Sequence, residues 1–216
     1  MGKYSNAFFI SADLAQVNDY TAITIIEEVE TRSGEVYNSN FGYVPKEITR
    51  ELHLRHIERP ERGTTYPKIV ERIKELYNSP QIKSSRTTVI IDITGVGRPV
   101  WDLMKSVGFR YQLKGISITG GDTVTEENNI FRVPKRDLIS ALQVAFQNGA
   151  LKIAAGLPEA DALVKELTNF KVKININGND QYEAWREGIH DDIVLSAAMG
   201  VWYATKSHFN LYHLIT

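Results

Sequence analysis

Residues 7–12 are apolar without interruption and run straight into Asp13, which predicts a buried strand ending in a carboxylate. Residues 14–19 read as a polar turn, and residues 20–28, rich in β-branched side chains, as a second strand. Ser33-Gly34 predicts a turn into a third strand over 35–44, so the chain opens as a three-strand antiparallel meander. Residues 45–63 interleave His53, Arg55, His56, Arg59 and Arg62 with apolar positions and predict a charged surface excursion. Helical spacing returns at Ile69, Val70, Ile73, Leu76 and Tyr77, predicting a helix over 65–77. A strand over 86–91 then ends at Asp92, followed by the Gly95-Val96-Gly97 turn and a short helix over 100–107. Further on come a strand over 115–119, a polar acidic loop over 120–129, and a helix from Pro134 to Gln147 with Leu138, Ile139, Leu142, Ala145 and Phe146 inward. Residues 151–154 predict a strand, 158–169 a helix, and the alternation of Phe170, Val172, Ile174 and Ile176 another strand. The residues from Ile193 to Ala204 are apolar on nearly every face, the mark of a buried helix. Antiparallel strands followed by alternating helix and strand give an α/β fold with a mixed central sheet and helices on both faces.

Composition narrows the chemistry. With 216 residues the chain is long enough for one domain with a substantial core. No apolar run reaches membrane-spanning length, and Met1-Gly-Lys-Tyr-Ser lacks the apolar core of a signal peptide. Cysteine is absent, which excludes disulfides, thiolate zinc sites and a cysteine nucleophile. The net charge of −1 lacks the basic excess usual for a nucleic-acid binder, although clustered carboxylates would cancel a basic patch in the sum.

The carboxylates carry the most pointed signal. Asp191 and Asp192 stand side by side where the buried helix begins. One could cap the helix by accepting its open N–H groups, but a cap needs only one, and a metal ion would account for the second. If the strand ending at Asp92 lies beside the first, Asp13 and Asp92 become neighbours at the strand ends where α/β active sites collect. Asp19, at the start of the return strand, would then sit near Asp13. Such a group cannot stay fully ionised without a cation. Oxygen-only ligands suit Mg2+ or Mn2+, and two such ions roughly 3.5–4 Å apart cleave phosphodiesters. Singly, each aspartate has an ordinary reading: turn residue for Asp13, Asp19 and Asp92, helix cap for Asp191. Their ordered combination is the stronger signal.

Three stretches bear a resemblance. Ile-Ser-Ala-Asp13-Leu-Ala-Gln-Val-Asn-Asp19-Tyr-Thr-Ala-Ile, Val-Ile-Ile-Asp92-Ile-Thr-Gly-Val-Gly and His190-Asp191-Asp192-Ile-Val-Leu-Ser-Ala-Ala resemble the nuclease domain of tailed-bacteriophage terminase large subunits. The resemblance spans nearly the whole chain. It implies a ribonuclease H-like fold and a metal-dependent endonuclease that cuts concatemeric viral DNA during genome packaging, with two Mg2+ or Mn2+ ions. It implies Asp13 and Asp92 as the first two metal ligands, with Asp13 bridging the ions. One of the Asp191-Asp192 pair is the third, Asp192 preferred with Asp191 assisting, and Asp19 is an accessory carboxylate. It further implies double-stranded DNA as substrate, the packaging ATPase, portal and small terminase subunit as partners, no membrane, and the host cytoplasm as location. No G-x-x-x-x-G-K-[ST] phosphate loop occurs in the sequence, so residues 1–216 are expected to be a nuclease domain alone, without the family's packaging ATPase.

Other features admit two readings. Arg55, Arg59, Arg62, Lys83, Arg86, Lys135 and Arg136 are candidate DNA-backbone contacts, or solvated charges. Gly95 and Gly97 could admit a phosphate to backbone N–H groups, or simply make a turn. His190 could orient a water or hold Asp191, or be a structural histidine at a helix start. Trp101, Trp185 and Trp202 read as packing residues, and the loop over 120–129 as a plain loop or a gate over the cleft. The alternatives are a junction resolvase or other ribonuclease H-like nuclease, an actin- or sugar-kinase-like nucleotide-binding domain using Asp13 and the Gly95 turn, and a catalytically silent DNA-docking domain.

Overall fold

The computed structural model of the chain describes residues 2–14, 20–38, 42–95, 97–176 and 191–212. Its strands are β1 (Gly2–Asp13), β2 (Ala22–Asn38), β3 (Gly42–Glu58), β4 (Arg86–Asp92), β5 (Leu113–Thr119), β6 (Thr125–Glu127), β7 (Ile130–Pro134) and β8 (Leu151–Ile153). The helices are α1 (Tyr66–Tyr77), α2 (Gly97–Ser106), α3 (Lys135–Gln147), α4 (Ala160–Ile176) and α5 (Asp192–Tyr212). The strands form one eight-stranded sheet in the order β6-β7-β5-β4-β1-β2-β3-β8. β2 runs antiparallel to β1 and β3, β6 runs antiparallel to β7, and every other pairing is parallel. This is the mixed central sheet, with antiparallel and parallel strands, that the sequence predicts. Among the described residues no helix is long and apolar enough to cross a membrane.

Alternation along the strands sorts the core into two layers. Phe9, Ile26, Leu54, Ile90 and Ile116 meet α3, α4 and α5 on one face. Ile10, Ala12, Ile23, Ile25, Val89 and Ile91 meet α1 and α2 on the other. Trp101 packs in the second layer and Trp202 in the first, as packing residues, while Trp185 lies outside the described residues.

Four expectations change. The meander is present, but β2 continues through Ser33-Gly34 to Asn38, with Gly34 absorbing a positive φ of 63° inside the strand. The charged stretch from residue 45 is no excursion, since β3 runs in the sheet to Glu58. It hides from a period-2 reading because Ile25 pairs with His56 and Ile26 with Leu54, leaving Arg55 as the extra residue of a bulge. That bulge brings Leu52, Leu54 and Ile57 to the same face despite their uneven spacing. Third, the expected loop over 120–129 contains β6 and turns into β7 through Asn128 and Asn129, with φ of 52° and 66°. Two consecutive positive φ values make the tight hairpin turn that asparagine tolerates. Fourth, residues 170–176 continue helix α4 instead of forming a strand. Adding residues to a helix already begun costs far less than starting a new element.

α5 lies close on the sheet. A Cβ built on Gly200 would stand 2.5 Å from Ser11 Oγ and 2.9 Å from Ile26 Cδ1. Nearby, the Ser196 hydroxyl donates to the Ser11 carbonyl at 2.9 Å, so the Thr24 hydroxyl, also at 2.9 Å, donates to Ser196. Gly200→Ala should therefore lower stability by about 1–3 kcal/mol, the usual range for forcing a methyl group into a packed core, read as a shifted urea midpoint.

On the opposite layer Arg72 of α1 donates from Nε and Nη2 to Glu58 at 3.0 Å, tying the helix to the end of β3. Burial works against ionising Glu58, but hydrogen bonds from Arg72 and His56 outweigh it and hold the carboxyl below its ordinary value. Its contribution to stability is thus complete above the ordinary glutamate range and disappears as pH falls through the lowered value. Thermal melts of Glu58→Gln should lie below those of the parent at neutral pH and converge with them in acid.

Candidate carboxylate site

The sheet delivers two aspartates to one place. β1 and β4 are parallel and paired up to Ala12 opposite Ile91, so the next residues, Asp13 and Asp92, end adjacent strands level with each other. Alternation sets their direction: Asp13 shares a face with Phe9, and Asp92 with Ile90, the face covered by α5. α5 begins at Asp192. Asp13 and Asp192 are buried, at 9% and 8% exposure. Asp92 is held by its turn, since its Oδ1 accepts the Thr94 N–H at 2.7 Å. Thr94 in turn accepts the Ile118 N–H on its Oγ1 at 2.7 Å, which ties that turn to β5. The turn-residue reading of Asp92 is therefore realised.

Asp191 precedes the helix, with its carbonyl accepting the Leu195 N–H at 2.9 Å, the N-cap position. Its side chain does not cap. Oδ2 of Asp191 accepts a hydrogen bond from Lys135 Nζ at 2.8 Å, from the first turn of α3. The N–H groups of Ile193 and Val194, which a capping side chain would reach, both donate to Glu166 Oε2 of α4 at 3.0 Å. Glu166 is the residue that sequence reasoning missed. Its only signal is an acidic side chain on an otherwise apolar helical face beside Leu163.

Burial first, and then the charges of Asp92, Asp192 and Asp191, push the Asp13 carboxyl well above the ordinary range, with Lys135 opposing them. These five groups therefore share one electrostatic site at the ends of β1 and β4. Among the described residues no three His, Asp or Glu side chains are drawn close enough to hold an ion. A divalent cation would have to draw them together. By donor chemistry they fit one: oxygen-only, anionic and partly desolvated, as Mg2+ and Mn2+ favour.

The remaining candidates divide. Asp19 and His190 lie outside the described residues. Arg55 is engaged within the sheet by Glu27 at 2.7 Å, and Arg59 by Glu166. Arg62 is exposed and stacks on Tyr20, with its Cζ 3.9 Å from the ring centre. Tyr20 sits two residues before Ala22, the partner of Asp13, so Arg62 stands on the rim of the site. Arg136 pairs with Asp122 at 2.7 Å across a cleft of about 300 Å3 between residues 119–122 and 134–136, next to Lys135. Lys83 and Arg86 precede β4 or begin it, at the end of the strand away from Asp92, and do not join the site. Gly95 has a φ of 81° and makes the turn into α2.

No family model and no curated protein matches this sequence. Solved structures do. The manganese-soaked terminase nuclease domain of human cytomegalovirus aligns over 93% of this chain and 83% of its own, at 11% identity and a TM-score of 0.48. The large-terminase (g2p) nuclease domain of bacteriophage SPP1 with bound manganese aligns over 90% of this chain and 85% of its own, at 7% identity and a TM-score of 0.46. The fowlpox virus Holliday junction resolvase aligns over 92% and 99%, at 13% identity and a TM-score of 0.35.

The buried charge at Asp13 destabilises the fold wherever no cation offsets it. Asp13→Asn keeps the shape and removes one repelling charge. In metal-free buffer at neutral pH its melting temperature should exceed the parent's, and added Mn2+ should no longer raise it as it raises the parent's.

Proposed function

We propose that this chain is a metal-dependent endodeoxyribonuclease that hydrolyses phosphodiester bonds of double-stranded viral DNA, with little sequence preference, during genome packaging. One observation carries the reading. Asp13 and Asp92 end adjacent parallel strands on the face that α5 covers, and the helix begins with Asp192.

Asp13, Asp92 and Asp192 would hold the ions, with Asp191 assisting. When bound, two Mg2+ or Mn2+ ions would supply an activated water and neutralise charge on the leaving oxygen. The protein's own part is placement. Thr94 fixes the Asp92 carboxylate, and the start of α5 fixes the other pair. Lys135 keeps a positive charge beside the acids before substrate arrives. Arg62 at one rim and Arg136 at the other are cations suited to a phosphate backbone, which carries no sequence information. No side chain serves as nucleophile. The packaging ATPase, portal and small terminase subunit would be the partners, and the host cytoplasm the location.

Supercoiled plasmid incubated with Mn2+ or Mg2+ should be nicked and linearised. Asp92→Ala should reduce the rate by more than the about 10–100-fold that losing an outer partner of a metal site costs. Undiminished cutting by that variant removes the assignment. Preferential cutting of branched DNA or RNA–DNA hybrid would shift it to a resolvase or ribonuclease H activity, and nucleotide-dependent stabilisation without cleavage would shift it to a nucleotide-binding domain.

A further inference from the structure

We infer that Glu166, held by Arg59, is a positioning residue for the carboxylates at the head of α5. The inference rests on the nuclease reading above and concerns a residue that neither binds substrate nor touches the reacting atoms.

A helix leaves its first N–H groups without internal partners, and the residue just before it normally supplies the acceptor. Here that residue is Asp191. Were its side chain to cap, it would fold back onto the Ile193 and Val194 amides. Both amides are instead taken by a single oxygen of Glu166, which reaches in from α4. Asp191 can then turn outward to Lys135. The borrowed cap lets the head of α5 present its acids to the site.

The borrowing is costly unless Glu166 stays ionised and stays in place. It is 5% exposed, and a carboxylate buried to that degree needs a partner. Arg59 is that partner, pairing with the second oxygen, Oε1. Arg59 directly follows β3, and its guanidinium lies 5.2 Å from the ring centre of Tyr20 and 3.9 Å from Glu159. Tyr20 leads into β2, whose first residue pairs with Asp13. A continuous chain of contacts therefore runs from the strand entry beside Asp13, through Tyr20, Arg59 and Glu166, to the helix that begins with Asp192. It ties together the two segments whose acids must meet.

Loss of this link predicts a specific failure. Without Glu166 the two amides would claim a nearer acceptor, and Asp191 is the one within reach. The fold would survive with an ordinary cap, and the cation site would lose its geometry.

The test is Mn2+ binding to the purified, metal-free protein, read by calorimetric titration and by the electron paramagnetic resonance signal of free Mn2+. Circular dichroism and melting confirm that each variant is folded at the working temperature. Glu166→Ala and Arg59→Met should each weaken Mn2+ binding by about 10–100-fold, the range typical of outer partners in metal sites. Arg59→Lys, which keeps the cation, should recover most of the loss. If Glu166→Ala does not fold, Arg59→Met decides alone, because it leaves the Glu166 carboxylate present. A lowered melting temperature with Mn2+ affinity within about twofold of the parent would make Glu166 a purely structural cap and overturn the inference while leaving the nuclease reading intact. Failure of the folded parent itself to bind Mn2+ would overturn both.

Discussion

Negative charge gathered where water is scarce is the constraint around which this molecule is arranged. Asp13 is buried at the end of a central strand, and the acids nearest it, Asp92, Asp192 and Asp191, all raise the cost of its charge. An apolar replacement would relieve that cost, and so would spreading the acids over the surface. The fold does neither. It uses the ends of two parallel strands and the start of a helix, three rigid attachments, to keep the acids within electrostatic reach of Asp13.

Each attachment is secured by a different force. β1 and β4 are held by the backbone ladder, which fixes their register and therefore the level at which both end. α5 is held by close packing: Gly200 lets the helix approach Ser11 and Ile26, and Ser196 bonds to the chain beneath it. The head of the helix is held by electrostatics, through Glu166 and Lys135. Packing sets the height of the helix above the sheet, and the polar contacts set how its first residues face.

The same economy explains the near-zero net charge. Many basic side chains are committed to internal acids: Arg55 to Glu27, Arg59 to Glu166, Arg72 to Glu58, Arg50 to Glu30, Lys135 to Asp191. Most of these lie on or beside the meander and the helix starts, and they neutralise partly buried carboxylates. Counting Lys and Arg in the sequence therefore overstates the charge offered to a polyanion. Arg62, stacked on Tyr20, and Arg136, paired with Asp122, lie at the rim of the site, whereas Lys83 and Arg86 belong to the far end of β4.

Local sequence was enough to locate β1, α1, β4, α3 and the buried α5, because an uninterrupted apolar run or a clean helical period has one low-energy outcome. It was also enough to place Asp13, Asp92 and the Asp191-Asp192 pair at element boundaries, since an acid next to an apolar run must lie at one. It was not enough for β3, whose bulge at Arg55 breaks the alternation, for the Asn128-Asn129 hairpin, whose cue is two residues long, or for residues 170–176, where helix propagation overrode a strand-like pattern. Only the tertiary structure decided that Asp13 and Asp92 end level on one face, that Lys135 meets Asp191, and that Glu166 caps a helix 27 positions further along the chain. The physical reason is the range of the forces. Periodicity and capping preference act within a few residues and are written in order along the chain, whereas register, ion pairing and a cap lent by another helix exist only after distant segments have packed together.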